Sequence, residues 1–131
     1  MIFALLGSID GEVNALQKAL DAIEEEGIIT VLQTGNIAWG ARGSEAIALL
    51  RERGVLCVQG HRDRILARLE RKRSRLMKEL GGEFPAYEAA HDALRAADIE
   101  WLGALPQERR LELEGSTVLL CHGIPGAPDE F

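Results

Sequence analysis

The sequence predicts an α/β fold, and three observations carry the prediction. IFALLG, GIITVLQT and GVLCVQG are short runs rich in Ile, Leu and Val, each bounded by glycine. The segments between them place apolar residues at helical intervals, the pattern of parallel βαβ units. The chain has 131 residues and is 47% hydrophobic, enough to bury one core, and no stretch is long and apolar enough to span a bilayer. A single domain over residues 1–131 follows, since no repeat, low-complexity stretch or linker divides it.

MIFALLGSID has no basic n-region and runs directly into an apolar segment ended by Gly7, so it reads as a first strand and not a signal peptide, and a cytoplasmic protein is expected. Val13, Leu16, Leu20 and Ile23 recur at helical spacing, with Asp10 placed as N-cap and Gly27 as the stop. A second, short helix carries Ala46, Ile47, Leu49 and Leu50 and ends at Gly54. From Arg62 to about Leu80 the spacing of Ile65, Leu66, Leu69, Leu76 and Met77 predicts one long basic helix, stopped at Gly81-Gly82. A further helix is expected from about Ala86 through DIEWLGALP, closed by Pro106. RRLELEGSTVLLCHG reads as an antiparallel hairpin turning at Glu114-Gly115-Ser116 and ending in His122. The strands are apolar on both alternating faces, so both faces of the sheet must be covered.

Charge and cysteine content narrow the partners. A net charge of −6 argues against a general nucleic-acid binder, and neither nucleic acid nor membrane is expected as a partner. Eight of the 15 Lys and Arg residues nevertheless fall in one segment: Arg62, Arg64, Arg68, Arg71, Lys72, Arg73, Arg75 and Lys78. No aromatic lies among them for base stacking, and Asp63, Glu70 and Glu79 interrupt them, so a solvated face stands beside an anion-binding one. Cys57 and Cys121 lie in apolar runs without zinc-finger or CxxC spacing and read as buried filler. His91, Tyr87 and Trp101 read as packing residues, while Trp39 fits either the core or the rim of a site.

Four strand ends carry more specific information: LLGSIDGEVNAL (5–16), VLQTGNIAWG (31–40), CVQGHRDR (57–64) and LLCHGIPGAPDEF (119–131). In this order and spacing the chain resembles the calcineurin-like metallophosphoesterases, whose strand ends read Asp-x-His-Gly-Asn, Gly-Asp, Gly-Asn-His-Asp and His-Gly. The resemblance covers almost the whole chain and implies a metallophosphoesterase-type sheet flanked by helices. The family's later Gly-His-x-His strand end and the strands completing its second sheet have no counterpart before Phe131, so the C-terminal half of the family fold is expected to be missing.

A two-metal phosphoesterase holds divalent ions about 3.5–4 Å apart and generates a hydroxide between them. The gross repulsion of two dications at that distance is on the order of 20 kcal/mol even at an effective dielectric of about 20, so anionic ligands are required. Residue by residue, the resemblance places Ser8 and Asp10 at the family's first-metal Asp and His, and Glu12 at its Asn. Asn36 stands at the bridging Asp, His61 at the metal-binding Asn and Arg62 at the acid His, while Asp63 and His122 are retained. Gly11, Gly35, Gly60 and Gly123 match at the turns, where the missing side chain lets the backbone bend.

The turns are kept and most of the reactive side chains are exchanged. The expected function is therefore a non-catalytic binding, regulatory or scaffold role with a degenerate site, a pseudoenzyme that forms a homodimer or higher oligomer in place of the missing half. The alternative is a metal-dependent phosphoesterase or nucleotidase with a remodelled mononuclear site. For it, Asp10, Asn36, His61 and His122 would form a remnant set for one Zn or Mn ion. Otherwise no cofactor is expected. Arg62 and Asn36 are candidates for holding a phosphate-bearing or other anionic small molecule.

Overall fold

The computed structural model describes residues 2–127. Three parallel strands, β1 (Phe3–Leu6), β2 (Thr30–Gln33) and β3 (Leu56–Cys57), form a sheet in the order β1-β2-β3. Helices α1 (Val13–Glu25) and α2 (Gly43–Glu52) connect them. β1 and β2 run in register from Phe3 opposite Thr30 to Leu6 opposite Gln33, which brings their C-terminal ends level and collects the turns after them on one side. Four helices follow: α3 (His61–Arg68), α4 (Arg73–Leu80), α5 (Phe84–Asp92) and α6 (Ala96–Ala104). A hairpin of β4 (Glu108–Leu113) and β5 (Ser116–Cys121) comes last.

Two of the expected helices are each two. The basic segment breaks after α3, where Lys72 leaves helical geometry (φ −119°, ψ 22°) before α4 begins. Arg68, Arg71, Lys72, Arg73 and Arg75 lie within little more than two turns, and like charges at that spacing disfavour a continuous helix. Folding back also lets α4 pack on α5, where Arg73 donates to Glu88. The second expected helix starts earlier, at Phe84, with Pro85 in its first turn, and breaks at Arg95, which is extended (φ −77°, ψ 157°). Asp98, buried at the start of α6, accepts the Arg95 backbone amide (3.2 Å) and the Ser44 hydroxyl (2.6 Å), so α6 begins with its own cap. Leu105, pushed to ψ 135° ahead of Pro106, ends it as the sequence predicts.

Asp10 is not an N-cap. It sits at φ 48° in a turn, and α1 starts from Glu12 without a side-chain cap. Gly27, at φ 72°, ends the helix as expected. The hairpin turn has Glu114 and Gly115 both at positive φ (48° and 80°), the two-residue turn whose twist suits antiparallel strands.

The helices cover one face of the sheet. Val31 and Cys57, with Ala4 and Leu6 beside them, pack against Leu16, Leu20, Ile47, Leu50 and Leu66 in the main core, and each fully buried Leu or Ile contributes about 1.5–3 kcal/mol. The hairpin is a separate two-stranded sheet on the opposite face, where Leu120 and Leu111 close over Leu32, Leu56 and Val58. It is tied to the strand ends by Gln59 N–H donating to Pro106 O (2.7 Å) and Arg109 Nε donating to Cys57 O (2.7 Å). That cover stops short of β1: Leu5 is 59% exposed and Phe3 39%, and Ile2 (74%) just before β1 and Ile29 (93%) just before β2 are exposed too. Burial pushes the Cys57 thiol up to about 12, an unreactive buried group, whereas Cys121 is only half-buried. Among the described residues no helix is long and apolar enough to cross a membrane.

Candidate functional site at the strand ends

The turns after β1, β2 and β3 are locked together by backbone. The amides of Ile9 and Asp10 both donate to Asn36 O (2.9 Å each), and Gly11 N donates to Ile37 O (2.9 Å). A Cβ on Gly11 would lie 2.0 Å from Trp39 O, and one on Gly60 would lie 2.3 Å from Asn36 N. Glycine stands there because the neighbouring turn fills the space that a side chain would occupy.

Asp63 is the clamp between the second and third turns. Fully buried, it accepts the amides of Asn36 (2.8 Å) and Gly60 (2.8 Å) on one oxygen and that of Ile37 (2.9 Å) on the other. Burial raises its pKa, against the opposing pull of the amides of Ile37, Gly60, Asn36 and Ala38. Its role here is to hold backbone. Gln33 does the same between the first and second turns: its amide nitrogen donates to Gly7 O (3.0 Å) and Gly35 O (2.8 Å), and its oxygen accepts Gly35 N (2.8 Å). A glutamine ending a strand carries no distinguishing spacing, so nothing in the sequence marks Gln33 for this role.

On this frame the structure brings Asp10, Asn36 and Arg62 together. Arg62 Nη1 donates to Asp10 Oδ1 at 3.1 Å, and its guanidinium lies 4.3 Å from the centre of the Trp39 ring. Asn36, at φ 58°, directs Oδ1 to the Arg62 backbone amide (3.0 Å), so its side chain caps the first turn of α3. Trp39 therefore belongs to the site. Tyr87 meets it edge-on, with ring centres 4.7 Å apart, and burial raises the Tyr87 pKa while the adjacent Arg62 guanidinium pulls it down. Tyr87, a packing residue by its sequence context, packs and also forms part of the enclosure around Arg62. Its distance along the chain from Arg62 hid that relationship.

The two histidines are placed differently. His61 is the first residue of α3 and faces the α3–α4 groove along with Arg64 and Arg68. His122, just beyond β5, has Nδ1 2.7 Å from Thr34 O, which anchors the end of the hairpin to the turn after β2. Among the described residues no three His, Cys, Asp or Glu side chains gather as ligands of one ion. A dinuclear centre does not fit this set of donors: Asp10 is engaged by a cation, and Asn36 is neutral and committed to a backbone amide.

Solved structures share this fold, two of them as follows. One is a hypothetical protein from Pyrococcus horikoshii OT3, with a TM-score of 0.83 and 20% identity over 98% of this chain and 57% of that one. The other is a metallophosphoesterase from Sphaerobacter thermophilus, with a TM-score of 0.64 and 22% identity over 98% of this chain and 50% of that one. The chain thus spans about half the length of the structures that it matches. At these identities the likeness establishes an α/β fold related to that of a metallophosphoesterase. No family model matches the chain, and no curated protein matches it.

Proposed function

We propose that the chain is a non-catalytic binding or regulatory domain on a metallophosphoesterase-type fold, cytoplasmic and self-associating. In this reading the strand-end centre recognises a phosphate-bearing or other anionic small molecule through Arg62 and Asn36 and does not hydrolyse it. The observation that supports it is the Arg62–Asp10 ion pair stacked on Trp39: a guanidinium stands among the groups that would have to attract dications. Arginine suits the binding role, since a planar guanidinium already oriented by a ring and a carboxylate can offer its remaining donors to phosphate oxygens.

The alternative is a mononuclear, metal-dependent phosphoesterase using Asp10, Asn36, His61 and His122. It has one observation in its favour: the contact of His122 Nδ1 with a backbone carbonyl is the kind of support that orients metal-ligating histidines. One experiment separates the two readings. Phosphomonoester and phosphodiester hydrolysis is assayed with Mn, Ni, Mg or Zn, alongside calorimetric titration of each metal. Background turnover and no stoichiometric metal binding are expected. Metal-dependent turnover that disappears in His122→Ala would establish the alternative.

A further inference from the structure

The break between α3 and α4 turns a charged stripe into a groove. A cavity of about 270 Å³ lies there, with Arg64 and Arg68 on α3, Lys72 at the corner and Arg75 on α4. Ile65, Leu76 and Leu80 supply its apolar lining, and among the described residues Glu79 is its one carboxylate. We propose that this groove is a binding site for a linear polyphosphate group, a chain of two or more linked phosphates, separate from the strand-end centre.

The whole chain has a net charge of −6, yet residues 62–80 hold eight cations against three carboxylates, a local excess of +5. Among the described residues that line it, the groove holds four cations against one acid. Concentrating like charges around a concavity costs free energy in the empty protein, and a bound anion relieves that cost. Glu79 pairs with Arg75 at 2.7 Å, which offsets one of the four charges and holds that guanidinium in place, so the groove keeps a positive excess. Arg64 and Arg68 are one helical turn apart, about 6 Å along the axis, and Arg75 approaches from the other helix. One phosphate is too small to engage cations distributed in this way, whereas a linked chain of them can.

Calorimetry without divalent metal, using tripolyphosphate, ATP, inorganic phosphate and a single-stranded RNA oligonucleotide, tests the proposal. Tripolyphosphate is expected to bind at least about tenfold more tightly than inorganic phosphate, and to weaken as salt is raised. Equal affinity for ATP and tripolyphosphate identifies the phosphate chain as the ligand, and tighter ATP binding identifies a nucleotide; both support the site. Arg68 and Lys72 are exposed, so Arg68→Glu with Lys72→Glu should fold and lose at least about tenfold in affinity. Arg71→Glu, outside the groove, should stay within about threefold, and tripolyphosphate should keep its groove affinity whether or not Arg62→Ala abolishes anion binding at the strand ends, which keeps this test distinct from the one above. No tripolyphosphate binding, equal losses in the groove and Arg71 variants, or preference for RNA over tripolyphosphate would each overturn it.

Discussion

Arg62 Nη1 and Asp10 Oδ1 meet at 3.1 Å across 52 residues of sequence, one from the start of α3 and the other from the turn after β1. Both side chains are about one-third exposed, so the pair is partly hydrated, and its Coulomb attraction by itself stabilises the fold little. Its consequence is chemical. The pair places one positive and one negative group where a hydrolytic centre of this fold class would need a surplus of negative charge.

Restoring the bridging carboxylate alone should therefore fail. Asn36→Asp is expected to leave phosphoester hydrolysis at background with Mn, Ni, Mg or Zn, because Arg62 remains and Ser8 is not a strong ligand. Robust turnover from that one change in a metal-supplemented assay would show that the neutral amide was the only obstacle.

The interlocked turns predict a steep difference between glycines. Gly60→Ala places a Cβ 2.3 Å from the Asn36 amide nitrogen, and relief requires moving the backbone that Asp63 clamps, so a loss of about 2–4 kcal/mol is expected. Gly27→Ala meets no neighbour within 4 Å and suffers only its positive φ, about 1–2 kcal/mol. Urea unfolding of both variants measures the gap. Equal midpoints would mean that the strand-end turns are not rigid.

Asp98 sets a pH dependence of definite sign. Burial acts to raise its pKa, but hydrogen bonds from the Arg95 side chain, the Ser44 hydroxyl and the Arg95 amide outweigh it, and the folded value is lowered. The unfolded chain then binds a proton more readily than the folded one, so the contribution is complete above the ordinary carboxylate pKa of about 4 and is lost as pH falls through the folded value. Asp98→Asn should be less stable than the parent by about 1–3 kcal/mol at neutral pH, with the difference shrinking in acid. A difference independent of pH, followed by thermal melts across the acid range, would rule out ionisation as its source.

The uncovered end of the sheet predicts self-association. Phe3 and Leu5 project from the face that the hairpin leaves open, and β1 is an edge strand of the sheet, so pairing with a second copy would bury both. A two-fold dimer is expected by size exclusion coupled to light scattering, and Leu5→Lys should shift it to monomer. A monomeric parent at micromolar concentration with little hydrophobic-dye binding would refute this.

Sequence alone determined the local features of this protein. Parallel strands were legible in IFALLG, GIITVLQT and GVLCVQG, and the hairpin in RRLELEGSTVLLC, because strand periodicity and turn glycines are properties of adjacent residues. The placing of Asp10, Asn36 and Arg62 at one site was implied by the resemblance of the strand-end motifs. Tertiary structure decided what those residues do: that Asp10 answers Arg62, that Asn36 caps α3, that Asp63 fastens two turns, and that Trp39 and Tyr87 enclose the guanidinium. It also split the basic helix, since hydrophobic spacing persists from Ile65 to Met77 whether the helix runs straight or folds back. Helical spacing reports which side of a segment is apolar, while the break at Lys72 depends on charge crowding within the segment and on a partner, Glu88, that only the folded chain brings within reach of Arg73.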